Sequence, residues 1–70
     1  MFNEKVQAMA LSIEEHCDPE IMQQARTLIG ACLDAGISHK IRQAKHLSRE
    51  LKIDACLAAA LVLAWQIYTL

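Results

Sequence analysis

Apolar residues recur along this chain every three or four positions and almost never alternate, a pattern that predicts helices rather than strands. Phe2, Val6, Met9 and Ile13 fall at i, i+4, i+7 and i+11, one face of a first helix starting near Asn3. Asp18-Pro19-Glu20 then reads as a helix start. Asp18 is the cap, Pro19 suits the first helical position, and Glu20 complements the positive helix end. The second helix buries Ile21, Ala25, Leu28, Ile29 and Cys32 and stops at Gly36, a natural left-handed residue after a helix. Ser38 is the next N-cap candidate. Beyond it Ile41, Ala44, Leu47 or Ser48, and Leu51 form one apolar stripe, with basic residues on the other faces. Asp54 can cap a fourth helix that runs toward Leu70.

The fourth helix is unlike the other three. One side carries Leu57, Leu61, Trp65 and Tyr68, another Cys56, Ala60, Leu63 and Ile67, and a third holds Ala58 and Val62. A helix that is apolar all round must be covered all round. Three short neighbours are expected to cover about a side and a half, leaving a face for a partner. The other arrangement is a monomeric bundle with this helix at its centre. Five alanines (Ala55, Ala58, Ala59, Ala60 and Ala64) allow close backbone approach in either case.

Composition narrows the class. The 70 residues are 54% hydrophobic and 4% aromatic, with two Gly and one Pro, too apolar for disorder and too poor in turn residues for a multi-stranded sheet. The expected fold is all-α, a single helical domain over residues 1–70. A domain of this size buries a small core, so added stability from a partner or a second copy is expected.

The net charge of −1 excludes a strongly basic nucleic-acid module, yet it conceals a segregation. Residues 1–37 set Lys5 and Arg26 against Glu4, Glu14, Glu15, Asp18, Glu20 and Asp34, a balance of −4. Residues 38–53 set Lys40, Arg42, Lys45, Arg49 and Lys52 against Glu50, a balance of +4. Either the acidic and basic helices lie side by side and neutralise each other, or the basic helix steers an acidic partner.

Catalytic and ligand chemistry has little support. LSRELKIDACLAAALVLA has helix–turn–helix rhythm, but its second helix offers Ala55, Cys56, Ala58 and Ala59 where base edges need Arg, Asn or Gln. His16, Cys17, Cys32, His39, His46 and Cys56 are metal-ligand types without chelating spacing, so no metal is expected. Glu14 and Glu15 point apart on a helix, and His16-Cys17 has no oxyanion-hole loop beside it, so neither an enzyme nor a cofactor is expected. Three cysteines without CxxC spacing point to a reducing cytoplasm. MFNEKVQAMALSIEEH reaches acidic residues before any long apolar run, unlike a signal peptide. The longest apolar stretch, Ala55 to Trp65, is 11 residues against the roughly 20 needed to span a bilayer. A soluble protein is the expectation, and protein–protein interaction is the function class left standing.

The run CLDAGISHKIRQAKHLS (Cys32 to Ser48), followed by IDACLAAALVL (Ile53 to Leu63), resembles the small tetratricopeptide-like needle chaperones of bacterial type III secretion systems. The features carrying the resemblance are Ala35-Gly36-Ile37 at a helix end, then Ile41, Ala44-Lys45 and Leu47, and an Ala/Leu-rich final helix; KVQAM (Lys5 to Met9) is similar to the start of the shorter members. The resemblance implies four short helices as two helical hairpins. It also implies a bacterial cytoplasmic chaperone that works with a small helical co-chaperone, without cofactor or catalysis. Such a chaperone holds the amphipathic C-terminal helix of the needle subunit in a hydrophobic groove and prevents its premature polymerisation.

Under this reading the fourth helix supplies the contact through Leu57, Leu61, Trp65 and Tyr68, the two aromatics being the expected hot spots unless they are core residues. The competing reading is a homo-oligomeric helical bundle with a regulatory or structural role, its fourth helix buried against its own copy.

Overall fold

A computed structural model describes the backbone from Asn3 to Thr69 and the side chains from Asn3 to Gln66. It is all-helical: α1 (Glu4–Leu11), a 3-10 turn (Ile13–Glu15), α2 (Pro19–Asp34), α3 (Lys40–Leu51) and α4 (Ala55–Thr69). Phe2 and the side chains of Ile67 and Tyr68 lie outside the described residues.

Local chemistry sets most boundaries. Asn3 Oδ1 accepts from the Val6 N–H at 3.0 Å and Asp18 Oδ1 from the Ile21 N–H at 2.9 Å, so α1 and α2 each begin on a side-chain cap. The α-helical part of the first segment stops at Leu11, short of Ile13. The Ser12 hydroxyl donates back to the Ala8 carbonyl (3.0 Å), an alternative to the regular ladder. The chain then tightens into the 3-10 turn, which keeps Ile13 on the buried side at 1% exposure.

Gly36, at φ +81°, ends α2 as anticipated. The Ile37 N–H donates to the Cys32 carbonyl (2.8 Å) and the Gly36 N–H to that of Leu33 (3.0 Å), the paired bonds of a Schellman motif. The cap of α3 falls on His39 rather than Ser38, and His39 makes no side-chain cap bond. The entry is anchored instead by Gln43, buried beside Ala44 and Leu47, whose Nε2 donates to the Ile37 carbonyl at 2.9 Å. The exit of α3 is a second left-handed turn, on a non-glycine residue, Lys52 (φ 54°). There the Ile53 N–H donates to the Ser48 carbonyl and the Ser48 hydroxyl to the Ile53 carbonyl (2.7 Å).

Packing centres on α4. It lies against α3 and α1 most extensively and also meets α2 and the 3-10 turn, while α2 packs on α3. The α2–α3 and α3–α4 pairs are thus helical hairpins closed by short turns, and α1 docks on the last helix. At 15 residues α4 is about 22 Å long, close to the 23 Å short dimension of the molecule. One hydrophobic cluster draws Val6 and Ala10 from α1, Ile13 from the turn, Ala25 and Ile29 from α2, Ala44 and Leu47 from α3, and the middle of α4.

The expectation that neighbours would cover only part of α4 does not hold in its middle. Ala58, Ala59, Ala60, Leu61 and Val62 are consecutive and each at most 5% exposed. Five residues at 100° per residue sweep a full circle, so α4 is enclosed on every side there. The alanines explain how short helices achieve this. A thin cylinder of methyl groups presents a small circumference, and neighbouring helices approach it closely. The large apolar side chains left exposed lie elsewhere among the described residues: Leu11, Leu33, Ile37 and Ile41.

Candidate functional site

Where α4 emerges from its enclosure, α2 and the 3-10 turn do not close fully upon it. A cleft of about 260 Å³ opens there, floored by Leu61 and Ala64 with Trp65 at its edge. Ile13 forms one wall, and Met22, Ala25, Arg26 and Ile29 of α2 form the other. Residues 22, 25, 26 and 29 are one helical face at i, i+3, i+4 and i+7, so a single side of α2 supplies that wall. The volume falls below the roughly 300–1,000 Å³ of ordinary small-molecule sites and suits a few side chains of a partner better than a cofactor.

Beyond Met22 and Arg26 the surface continues into an adjoining recess of about 430 Å³, lined also by Glu14, Cys17, Pro19 and Gln23. Arg26 lines both hollows, and its guanidinium lies 5.7 Å from the Trp65 ring centroid. The main cleft is therefore apolar with a cation at its mouth. Among the described residues its lining includes no carboxylate, thiol, hydroxyl or imidazole, and what it can do is bury apolar groups beside a positive charge.

Cys17 lies in the recess with its thiol pKa raised. Burial pushes its thiol up from the ordinary cysteine value and the Asp18 carboxylate pushes it further, while the S–H donates to the Ile13 carbonyl at 3.7 Å. Cys32 is buried and Cys56 half-buried, both as free thiols. Among the described residues no three His, Cys, Asp or Glu side chains gather in a metal-binding group, and no helix is long and apolar enough to cross a membrane.

The predicted contact residues are thus distributed unevenly. Leu61 and Trp65 share the cleft, Leu61 as 5%-exposed floor rather than as open surface. Leu57 is half-buried one helical turn before Leu61 and does not line the cleft, and the Tyr68 side chain lies outside the described residues. The opposite wall was not anticipated. Met22 and Arg26 flank the buried Ala25 in the α2 stripe, and their i, i+4 spacing beside that stripe was the available signal. The comparisons add no relative: no protein family, curated protein or solved structure matches this chain.

Proposed function

We propose that this chain is a protein-interaction domain whose cleft between α2, the 3-10 turn and α4 seats apolar side chains from an amphipathic helix. The observation that carries this reading is the cleft itself, apolar and edged by Trp65, the kind of residue that dominates binding energy. Helix-in-groove recognition needs such a slot for two or three anchors at i, i+3 or i+4, and i+7. Its closest functional analogy is the one the sequence suggests, a cytoplasmic chaperone of type III secretion. In that role it would shield the C-terminal helix of a needle subunit together with a small helical co-chaperone. Shielding an aggregation-prone helix requires burying its apolar stripe and no bond-making chemistry, in keeping with the cleft lining.

Calorimetric titration with an 18-residue helical peptide bearing leucine at those spacings tests the proposal. Binding is expected to be saturable and to weaken by about 2 kcal/mol in Trp65→Ala and tenfold or more in Met22→Lys, which places a charge in the slot. Leu33→Lys, outside the cleft, is expected to bind as the parent does. Equal affinity of all four proteins would refute the cleft as the binding site.

A further inference from the structure

The two charged halves of the chain do not neutralise each other by contact. Among the described residues no ion pair within 4.0 Å joins any Lys or Arg to any Asp or Glu. Arg42, Lys45 and Arg49 are exposed at i, i+3 and i+7 on α3, on the side away from buried Ala44 and Leu47, a cationic stripe about 10 Å long. Glu14, Glu15 and Glu20 are exposed on the 3-10 turn and the first turn of α2. The exposed large apolar side chains divide between the same two regions. Leu11 (69% exposed) immediately precedes the acidic turn, whereas Leu33, Ile37 and Ile41 surround the start of the helix that carries the basic stripe.

From this we propose that the acidic corner of one molecule docks on the basic face of α3 of a second copy. Leu11 would then meet the Ile37–Ile41 region, and Glu20 with the nearer of Glu14 and Glu15 would face Arg42, Lys45 and Arg49. The charge balances of −4 and +4 on residues 1–37 and 38–53 of the same chain make a second copy the complementary partner at hand. A nucleic-acid backbone fits less well. It would run past a 10 Å stripe and across a molecule whose other half repels phosphate within a Debye length or two. The contact is heterologous, since each copy uses a different patch, and it propagates into a ring or chain unless one patch is blocked. Exposed pairs contribute little affinity each, so the association is weak and steered by charge. It uses none of the residues lining the main cleft, and only Glu14 borders the adjoining recess, so it does not rest on the proposed helix binding.

Sedimentation of the full chain tests it, from low micromolar to about 1 mM, the range suited to a small transient interface. The parent protein is expected to self-associate at about 50 mM NaCl and to weaken roughly tenfold or more at about 500 mM. Two neutralised variants sharpen the test: Glu14→Gln/Glu15→Gln/Glu20→Gln and Arg42→Gln/Lys45→Gln/Arg49→Gln. All six positions are exposed, and circular dichroism checks that both variants remain helical. Each alone is expected to stay monomeric, whereas their equimolar mixture retains one intact patch of each sign and forms a 1:1 dimer that cannot grow. The proposal is overturned by a parent that stays monomeric throughout, by self-association indifferent to salt and to both variants, or by a mixture that forms no dimer. Retention of a 20-base-pair DNA duplex by a parent that does not bind itself overturns it in favour of nucleic acid.

Discussion

Arg26 reaches from α2 to place its guanidinium 5.7 Å from the centre of the Trp65 ring on α4, linking the α2 wall of the apolar cleft to its α4 edge. A cation over an indole face is worth about 0.5–1 kcal/mol at an exposed site. Arg26→Ala is therefore expected to lower unfolding free energy by about that amount, and Arg26→Lys by less. Trp65 is the single tryptophan of the chain, so its emission reports the contact directly. A shifted emission maximum in Arg26→Ala, with unchanged helicity, is the expected result, read by chemical denaturation and fluorescence on the same samples.

The entry to α3 depends on Gln43 and not on the serine that precedes the helix. Replacing Gln43 by Leu keeps its bulk but removes the Nε2 bond to the Ile37 carbonyl, and a cost of about 1–2 kcal/mol is expected. Ser38 makes no hydrogen bond through its side chain among the described residues, so Ser38→Ala is expected to change stability by less than about 0.5 kcal/mol. Urea unfolding of the two variants distinguishes them, and a larger loss for Ser38→Ala would contradict the assigned anchor.

Two left-handed turns carry opposite predictions. Lys52 holds φ 54° with a side chain that disfavours it, so Lys52→Gly is expected to raise stability by about 1 kcal/mol. Gly36 holds φ +81° with open space where a Cβ would stand, so Gly36→Ala is expected to lose about 1 kcal/mol from backbone strain alone. Thermal unfolding midpoints moving in opposite directions are the expected readout.

These turns also show what the sequence made legible. Gly36, Asp18-Pro19 and Asn3 are residue types whose chemistry admits few local structures, and each stands where its chemistry places it. Lys52 carries no such mark. Its conformation is imposed by the turn that links α3 to α4, and only the packed structure reveals it. The enclosure of α4 was hidden for a related reason. A helical wheel shows that Ala58 to Val62 are apolar all round, but not that methyl-sized side chains let short neighbours encircle them. The cleft was legible on its α4 side, through Leu61 and Trp65, and obscure on its α2 side. Arg26 reads from sequence as a solvated charge until Trp65 is seen beneath it.

The thiol of Cys17 gives a pH dependence of defined sign. Burial and the neighbouring Asp18 carboxylate raise its pKa in the folded protein, so the unfolded chain loses the proton first as pH rises. Stability from this group is complete below the ordinary thiol pKa and declines as pH climbs from there toward the raised folded value. Denaturant midpoints near pH 7.5 and pH 9.5 or so are expected to differ more in the parent than in Cys17→Ser. Alkylation of Cys17 near pH 8 is expected to be slower than that of free cysteine, because the thiolate is the reacting species.

Titration of the parent protein with the leucine-spaced amphipathic peptide, followed by Trp65 emission, tests most directly whether the cleft receives a helix. Filling the cleft removes water from the indole edge, so a saturable blue shift is expected, and Met22→Lys should suppress it. Emission that stays constant while the peptide binds, or a shift that survives unchanged in Met22→Lys, would contradict a helix seated between α2 and α4.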